Sequence, residues 1–328
     1  MKVTIKDVAL ASGYSVTTVS YALNGSSEIP KETKDKILKV AKDLNYVPNA
    51  YARALKSKKT YNIGVYIPDF DGPVHPKIVS GLASGFKKID RRYKMVVLLH
   101  DDEMSFVREN YLDLAILMDP KISSDVILEL SKIVPLVMFD KIIDGKNIYL
   151  ADINNEDEMY ELTKMLIERN LDRIGYVSGS SDSYHNKSRF NGFLRAHLEK
   201  NKKVNNDIIY EANGFTEAHG YNTVKEVLEK SDNLPFDALM CANDELAIGA
   251  MRAIKEAGYN VPNDVKVTGF DGIELASIVY PSLTTIAIDW VSLGEKIAKY
   301  SLDILKKKHM DNLFVITDIK IIERKSTK

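Results

Sequence analysis

Apolar residues recur at helical spacing through the first 45 positions and in short unbroken runs after position 60, and these two rhythms divide the chain. Ile5, Val8 and Ala9 make one helical stripe, with Thr4 placed as its N-cap and Asp7 three residues on. Gly13 breaks that helix. Ser15 can cap a second one running to about Asn24, with Val19, Ala22 and Leu23 on its inner side and Thr17, Ser20, Tyr21 and Asn24 on its outer side. Pro30 opens a third, whose stripe of Ile37, Val40, Ala41 and Leu44 closes a miniature core ending near Asn45. After Pro48, Asn49 can cap only about two turns, Ala50 to Lys56, too short to stand alone as a helix in water.

From Thr60 the pattern alternates: strand-like NIGVYI, a helical stretch over 76–89, strands KMVVLL and LAILM, a helix, then strand PLVMF. It restarts at RIGYVSG, residues 173–179, which echoes NIGVYI. Continuous apolar runs between helical stretches mark parallel strands covered on both faces, so this part is expected to be doubly wound α/β with two similar halves.

Charge changes the picture of the head. Residues 1–59 carry 11 Lys+Arg against 5 Asp+Glu, and the remainder carries 34 against 41, so a near-neutral total hides a basic head on an acidic body. Such a footprint suits a polyanion. Two short helices joined at a glycine turn fit either an ordinary αα-hairpin or a helix-turn-helix with its second helix in a major groove. Leu55 has no stripe to join and lies among Arg53, Lys56, Lys58 and Lys59, either as a stray in a basic linker or as an apolar wedge for a minor-groove step. The 45% of hydrophobic residues is enough for full cores. No signal peptide, long apolar run or lipidation motif occurs, and the single cysteine, Cys241, excludes an intrachain disulfide, so the cytoplasm is the expected compartment and no membrane partner is expected.

The stretches TIKDVA from Thr4, SVTTVS from Ser15, LNYVPN from Leu44 and ARAL from Ala52 are followed by ANDELAIGA from Ala242, VPNDV from Val261, GFD from Gly269, PSLTT from Pro281 and RKST from Arg324. With these, in this order and over nearly its whole length, the chain resembles the lactose-repressor (LacI/GalR) family of bacterial transcription regulators. The resemblance implies an all-α helix-turn-helix head over 1–46, a hinge helix or linker over 47–59, and an α/β periplasmic-binding-protein-like body over 60–328. The body would have an N-subdomain of about 60–157 and 287–316 and a C-subdomain of about 158–286 and 317–328. It implies a nucleoid-associated homodimer on a pseudo-palindromic operator, a hinge that folds on DNA with Leu55 intercalating, and a small effector. Among DNA contacts, Val16, Thr17 and Tyr21 are expected to set base preference and Thr4, Ser15, Thr18 and Asn24 to position phosphates, with Ser20, Asn49, Ala52 and Lys56 completing the set.

In open α/β sheets ligands sit beyond the carboxyl ends of strands, here at Pro68 and Asp69, Ser178 and Gly179, Asn243 and Asp244, and Asp271. That group offers amides and carboxylates without a dense cationic patch, which suits a sugar better than a multiply charged phosphate. By resemblance the effector contacts fall on Asp69, Arg189, Phe215, Asn243 and Asp271, with Trp290 as an aromatic wall. Each has a plainer alternative: Asn243 as a helix cap, Arg189 as a solvated helix residue, Asp271 as the start of an Asp-Gly turn, Trp290 as core.

The chain also departs from its relatives. Val74 and His75 stand between Pro73 and Pro76 where relatives place paired aromatic or small residues, so effector identity does not carry over, and both join the candidate site. The stretch His100 to Leu114 is shorter than usual. Tyr21 replaces a common Arg and cannot make its bidentate guanine contact, so the operator should differ there.

Neither GxxxxGK[ST] nor GxGxxG occurs, and His185, His197 and His219 lack metal-ligand spacing with a cysteine, so an enzyme, a metal centre and a cofactor are not expected. The reading is a repressor of carbohydrate-metabolism genes under allosteric control by a sugar-like effector. A non-sugar small molecule or a protein corepressor is the alternative.

Overall fold

The computed structural model describes residues 3–47, 58–99, 104–308, 311–316 and 319–328. It falls into a small helical unit ending at Tyr61 and a large α/β unit beginning at Asn62.

In the helical unit the Asp7 carboxylate accepts from the Thr4 N–H at 2.8 Å and from the Thr4 hydroxyl at 2.7 Å, which starts α1 (Ile5–Ser12) and holds the carboxyl below its ordinary pKa. Gly13 ends α1 by turning left-handed, φ +76°, a conformation that costs glycine least. α2 (Val16–Leu23) begins under Ser15, whose hydroxyl accepts from the Thr18 N–H at 3.1 Å. α3 (Lys31–Asp43) follows Pro30. Val8, Ala9, Val19, Ala22, Ile37 and Ala41 converge as the core, with Ile5, Leu23, Val40 and Leu44 packed around it. Asn49, Ala52, Leu55 and Lys56 lie outside the described residues, as does the rest of 48–57.

The large unit holds two six-stranded sheets. The first contains β1 (Asn62–Tyr66), β2 (Lys94–Leu98), β3 (Leu114–Leu117), β4 (Leu136–Met138), β5 (Ile148–Ile153) and β11 (Leu313–Ile316), in the order β2-β1-β3-β4-β5-β11. The second contains β6 (Ile174–Ser178), β7 (Ile209–Glu211), β8 (Ala238–Cys241), β9 (Lys266–Asp271), β10 (Thr284–Ile288) and β12 (Ile319–Ile322), in the order β7-β6-β8-β9-β10-β12. The orders are the same, which explains why the sequence of β6 echoes that of β1. Every pairing is parallel except that of β12 with β10. β3, β4 and β8 are buried at every position because helices cover both faces, so they read as unbroken apolar runs.

The chain passes between the sheets three times: after β5, after β10, and between β11 and β12. α4 (His75–Ile89) of the first half packs against the last helix, α12 (Trp290–Leu305). The stretch before β3 carries α5 (Ser105–Arg108), a single turn, and α6 (Ser124–Leu130) follows β3. In the second half α7 (Asn155–Ile167) pairs with α8 (Tyr184–Glu199), and α9 (Glu217–Glu229) with α10 (Asp244–Glu256). α11 (Glu274–Ile278) is a short turn before β10.

These last two helix pairs are locked by the same device. Gly192 of α8 lies so close to α7 that a Cβ there would stand 2.2 Å from the Glu156 carbonyl oxygen, and one at Gly249 of α10 would stand 2.0 Å from that of Glu217. Three residues beyond each glycine an arginine lies over a tyrosine of the facing helix: Arg195 over Tyr160 at 4.4 Å and Arg252 over Tyr221 at 3.7 Å. Each arginine also pairs with the glutamate opposite its glycine, Glu156 or Glu217, and each tyrosine hydroxyl donates to a glutamate seven residues past the glycine, Glu199 or Glu256. The close approach sets the four helix N-termini, hence the residues after β5, β6, β7 and β8, in fixed relation.

Candidate nucleic-acid interface and effector cleft

The outer side of α2 is a polar surface with one large ring. Val16 is 42% and Tyr21 37% exposed, and Thr17 and Asn24 are exposed between and beyond them. Ser15 and Thr18 share a hydrogen bond between hydroxyls at 2.9 Å, and Asn24 donates to the Ser20 carbonyl at 2.9 Å, so the side chains of Ser15, Thr18 and Asn24 brace the helix ends. Val16 and Thr17 on the first turn and Tyr21 on the next form its exposed outward face. Lys36 lies 5.5 Å from the Tyr14 ring, an aromatic contact that the spacing of apolar residues did not single out.

In the large unit, Arg189 is 6% exposed and spends every nitrogen: Nε donates to Asn155 Oδ1 at 2.8 Å, one terminal nitrogen to the Ala242 carbonyl at 2.6 Å, the other to Asp271 Oδ1 at 3.1 Å. Its guanidinium plane lies 3.7 Å from the Phe270 ring centroid. Arg189 is therefore no solvated helix residue. Asp271, also 6% exposed, has φ +115° where β9 ends, and its carbonyl accepts from the Trp290 indole at 2.9 Å. Burial pushes its carboxyl up in pKa while Arg189 opposes. Trp290 is 4% exposed and its N–H is engaged by Asp271, so it is packed against the end of β9 and offers no free donor.

Asn243 caps α10 through the Leu246 N–H at 2.9 Å and donates to the Phe215 carbonyl at 2.9 Å. The Phe215 ring covers Gly179, where a Cβ would come within 2.0 Å of it, so any larger residue after β6 would displace the ring. Val74 caps α4 and His75 opens it, near enough to Asp271 for its charge to lower that pKa. Asp69 is exposed and accepts from the Asp71 N–H at 3.1 Å. Opposite, half-buried Glu245 is pushed up to about 7 by burial and by the charges of Asp271, Asp69 and Glu217. The structure thus joins Arg189, Asp271 and Trp290 directly, ties Asn243 to Phe215, and brings Asp69 and His75 within electrostatic reach of Glu245 and Asp271.

Three polar residues of this region escaped the sequence reading. Asp140 follows β4 and obeys the strand-end rule already applied to Asp69 and Asp271. Asn155 follows β5 in the same way, whereas His185 carries no such signal, because only the packing of α7 on α8 brings it to Asn155 and so to Arg189. Cys241 is buried, and burial raises its thiol, so it offers no nucleophile.

Comparison with known proteins matches residues 4–49 to bacterial regulatory proteins of the lacI family and residues 163–327 to the periplasmic binding protein-like domain. Catabolite control protein A of Priestia megaterium is 30% identical, over 100% of both chains. The crystal structure of the Lac repressor dimer bound to operator and the anti-inducer ONPF superposes with a TM-score of 0.87 at 25% identity, covering 100% of this chain and 99% of that one. A LacI family regulator from Enterococcus faecium with bound ribose has a TM-score of 0.70 at 24% identity, covering 81% and 98%.

Proposed function

The chain belongs to the LacI family of DNA-binding transcriptional regulators, and from that premise we propose that it represses carbohydrate-metabolism genes as a homodimer on a pseudo-palindromic operator and answers to a sugar-like effector. The observation that carries the effector reading is the buried Arg189–Asp271 pair at the carboxyl end of β9, with the Trp290 indole donating to the Asp271 carbonyl. Aromatic carbon there faces the C–H side of a sugar ring while carboxylates and amides take hydroxyls. The ribose seen in the Enterococcus faecium relative supports a sugar over a phosphate. On the head, Val16, Thr17 and Tyr21 read bases and the braced ends of α2 meet phosphates. Leu55 serves as the hinge wedge. Effector shifts the population between two relative placements of the halves, and with it the spacing of the two heads.

Trp290 is the only tryptophan, so its emission reports the cleft directly. Titration with a panel of sugars is expected to give one saturable change that close stereoisomers do not give. Calorimetric binding of a sugar with silent emission would move the site away from Trp290, and a response confined to non-sugar metabolites or to a protein would replace the sugar reading. Selection from random duplexes should return an inverted repeat. For the Tyr21→Arg variant the repeat should gain a G at one symmetric position; the parental motif returned unchanged would remove Tyr21 from the readers.

A further inference from the structure

We propose that His185 is a cross-cleft positioning residue that makes the placement of Arg189 depend on how the two halves of the body meet; the proposal rests on the reading of Arg189 as an effector-binding group. His185 is the second residue of α8 and 9% exposed. One edge of its ring faces the first half. Nε2 stands 2.8 Å from Asp140 Oδ1, a close polar approach outside hydrogen-bond geometry, and the ring centroid lies 4.9 Å from that of Phe139. Its neighbour Tyr184 makes the same crossing, donating to Asp152 Oδ2 at 2.8 Å.

The other edge faces Asn155, 2% exposed, where the chain has just passed from β5 into α7. Three links fix the hydrogens in this row. A guanidinium can only donate, so the Asn155 atom 2.8 Å from Arg189 Nε is its oxygen. The Asn155 amide group then donates to the Ile153 carbonyl at 3.2 Å and to His185 Nδ1 at 2.8 Å. Nδ1 must therefore present its lone pair, and the neutral ring carries its hydrogen on Nε2, on the side of Asp140.

Beyond Arg189 the row continues through Asp271 to Trp290, which opens α12 just after the second crossing. The row thus begins in the first half and touches two of the three crossings. A change in the angle between the halves is felt first at Asp140 and His185, and Asn155 hands it to Arg189. By reciprocity, a ligand that moves Arg189 biases the crossings.

The test uses the full chain without ligand and reads acrylamide quenching of Trp290 together with deuterium exchange of the amides at 154–157 and 289–292. His185→Leu keeps apolar volume and deletes both polar edges; it is expected to raise opening at these amides and at Trp290 roughly fivefold, the loss of one net hydrogen bond. His185→Gln can give its oxygen to Asn155 and its NH2 to Asp140, and should stay near the parent. Asp140→Ala, made on a partly exposed side chain that leaves the core intact, should move the readouts in the same direction as His185→Leu and serves if that variant fails to fold. Parental quenching and exchange in His185→Leu or Asp140→Ala would overturn the proposal, as would a His185→Gln variant as open as His185→Leu, which would reduce the ring to packing. Because no ligand is present, a failed sugar titration alongside the expected pattern would sink the effector reading alone.

Discussion

Asp244 has no exposed surface: Thr285 donates to one carboxylate oxygen at 2.5 Å and the Ile273 N–H to the other at 2.8 Å, yet burial and the charge of Asp271 push its pKa up to about 8. A carboxyl raised in the folded state binds a proton that the unfolded chain has already released, so its contribution to stability is whole below about pH 4 and is lost as pH rises towards 8. Asp244→Asn can still accept from Ile273 and donate to a turned Thr285 hydroxyl. We expect it to fold and to flatten the fall in stability across that window, a fall of up to about 1.4 kcal/mol per pH unit for this one group, read as unfolding midpoints against pH. A different outcome is expected at the pair above it. Arg189→Ala strands a buried carboxylate and should lose about 3–5 kcal/mol in denaturant unfolding, whereas Arg189→Lys keeps a cation and should lose less. Arg189 and Asp271 were legible because each sits in a recognisable string, RFNGF or GFD. His185 was not, since what defines it is a neighbour 45 residues back, Asp140, and no local spacing encodes that meeting.

At the scale of elements, capping and periodicity carried most of the reading. Thr4 with Asp7, Ser15 and Gly13 act through bonds that span four residues or fewer, so their roles can be read from a short window. The helix locks show the opposite case. Their pattern is printed in the chain as GFLRAHLE and GAMRAIKE, with EDEMY and EAHGY before them, but each half of it is ordinary until the two helices lie side by side. The locks predict sharp intolerance. Gly249→Ala forces backbone apart at Glu217 and should lose about 1–3 kcal/mol by thermal or denaturant unfolding, and Gly192→Ala a similar amount. Gly72→Ala, with nothing within 4 Å, is the control and should change little. Equal stability in all three would mean that the helix pairs relax freely.

For the molecule as a whole, the uneven charge is the plainest determinant of behaviour. With the excess of cations over anions confined to residues 1–59, operator affinity is expected to fall steeply with salt, roughly a thousandfold from about 50 to about 200 mM, and residues 60–328 alone should bind no specific duplex in gel-shift assays. The doubly wound class was readable in the apolar runs; the exchange of last strands was expected only from the family resemblance, because β11 and β12 are short and their sheets are chosen by distant edges. That exchange bears on how the protein comes off the ribosome. Synthesis delivers β1 to β5 first, but the helix that covers Gly81 and Gly85 of α4 is 290–305, and the first sheet's edge strand is 313–316. While the second half is being made, the first presents a bare apolar groove, the surface that trigger-type chaperones hold and that aggregates share. A nascent chain arrested at residue 288 should therefore be cut by protease in its first half, and one arrested after residue 328 has cleared the exit tunnel should resist.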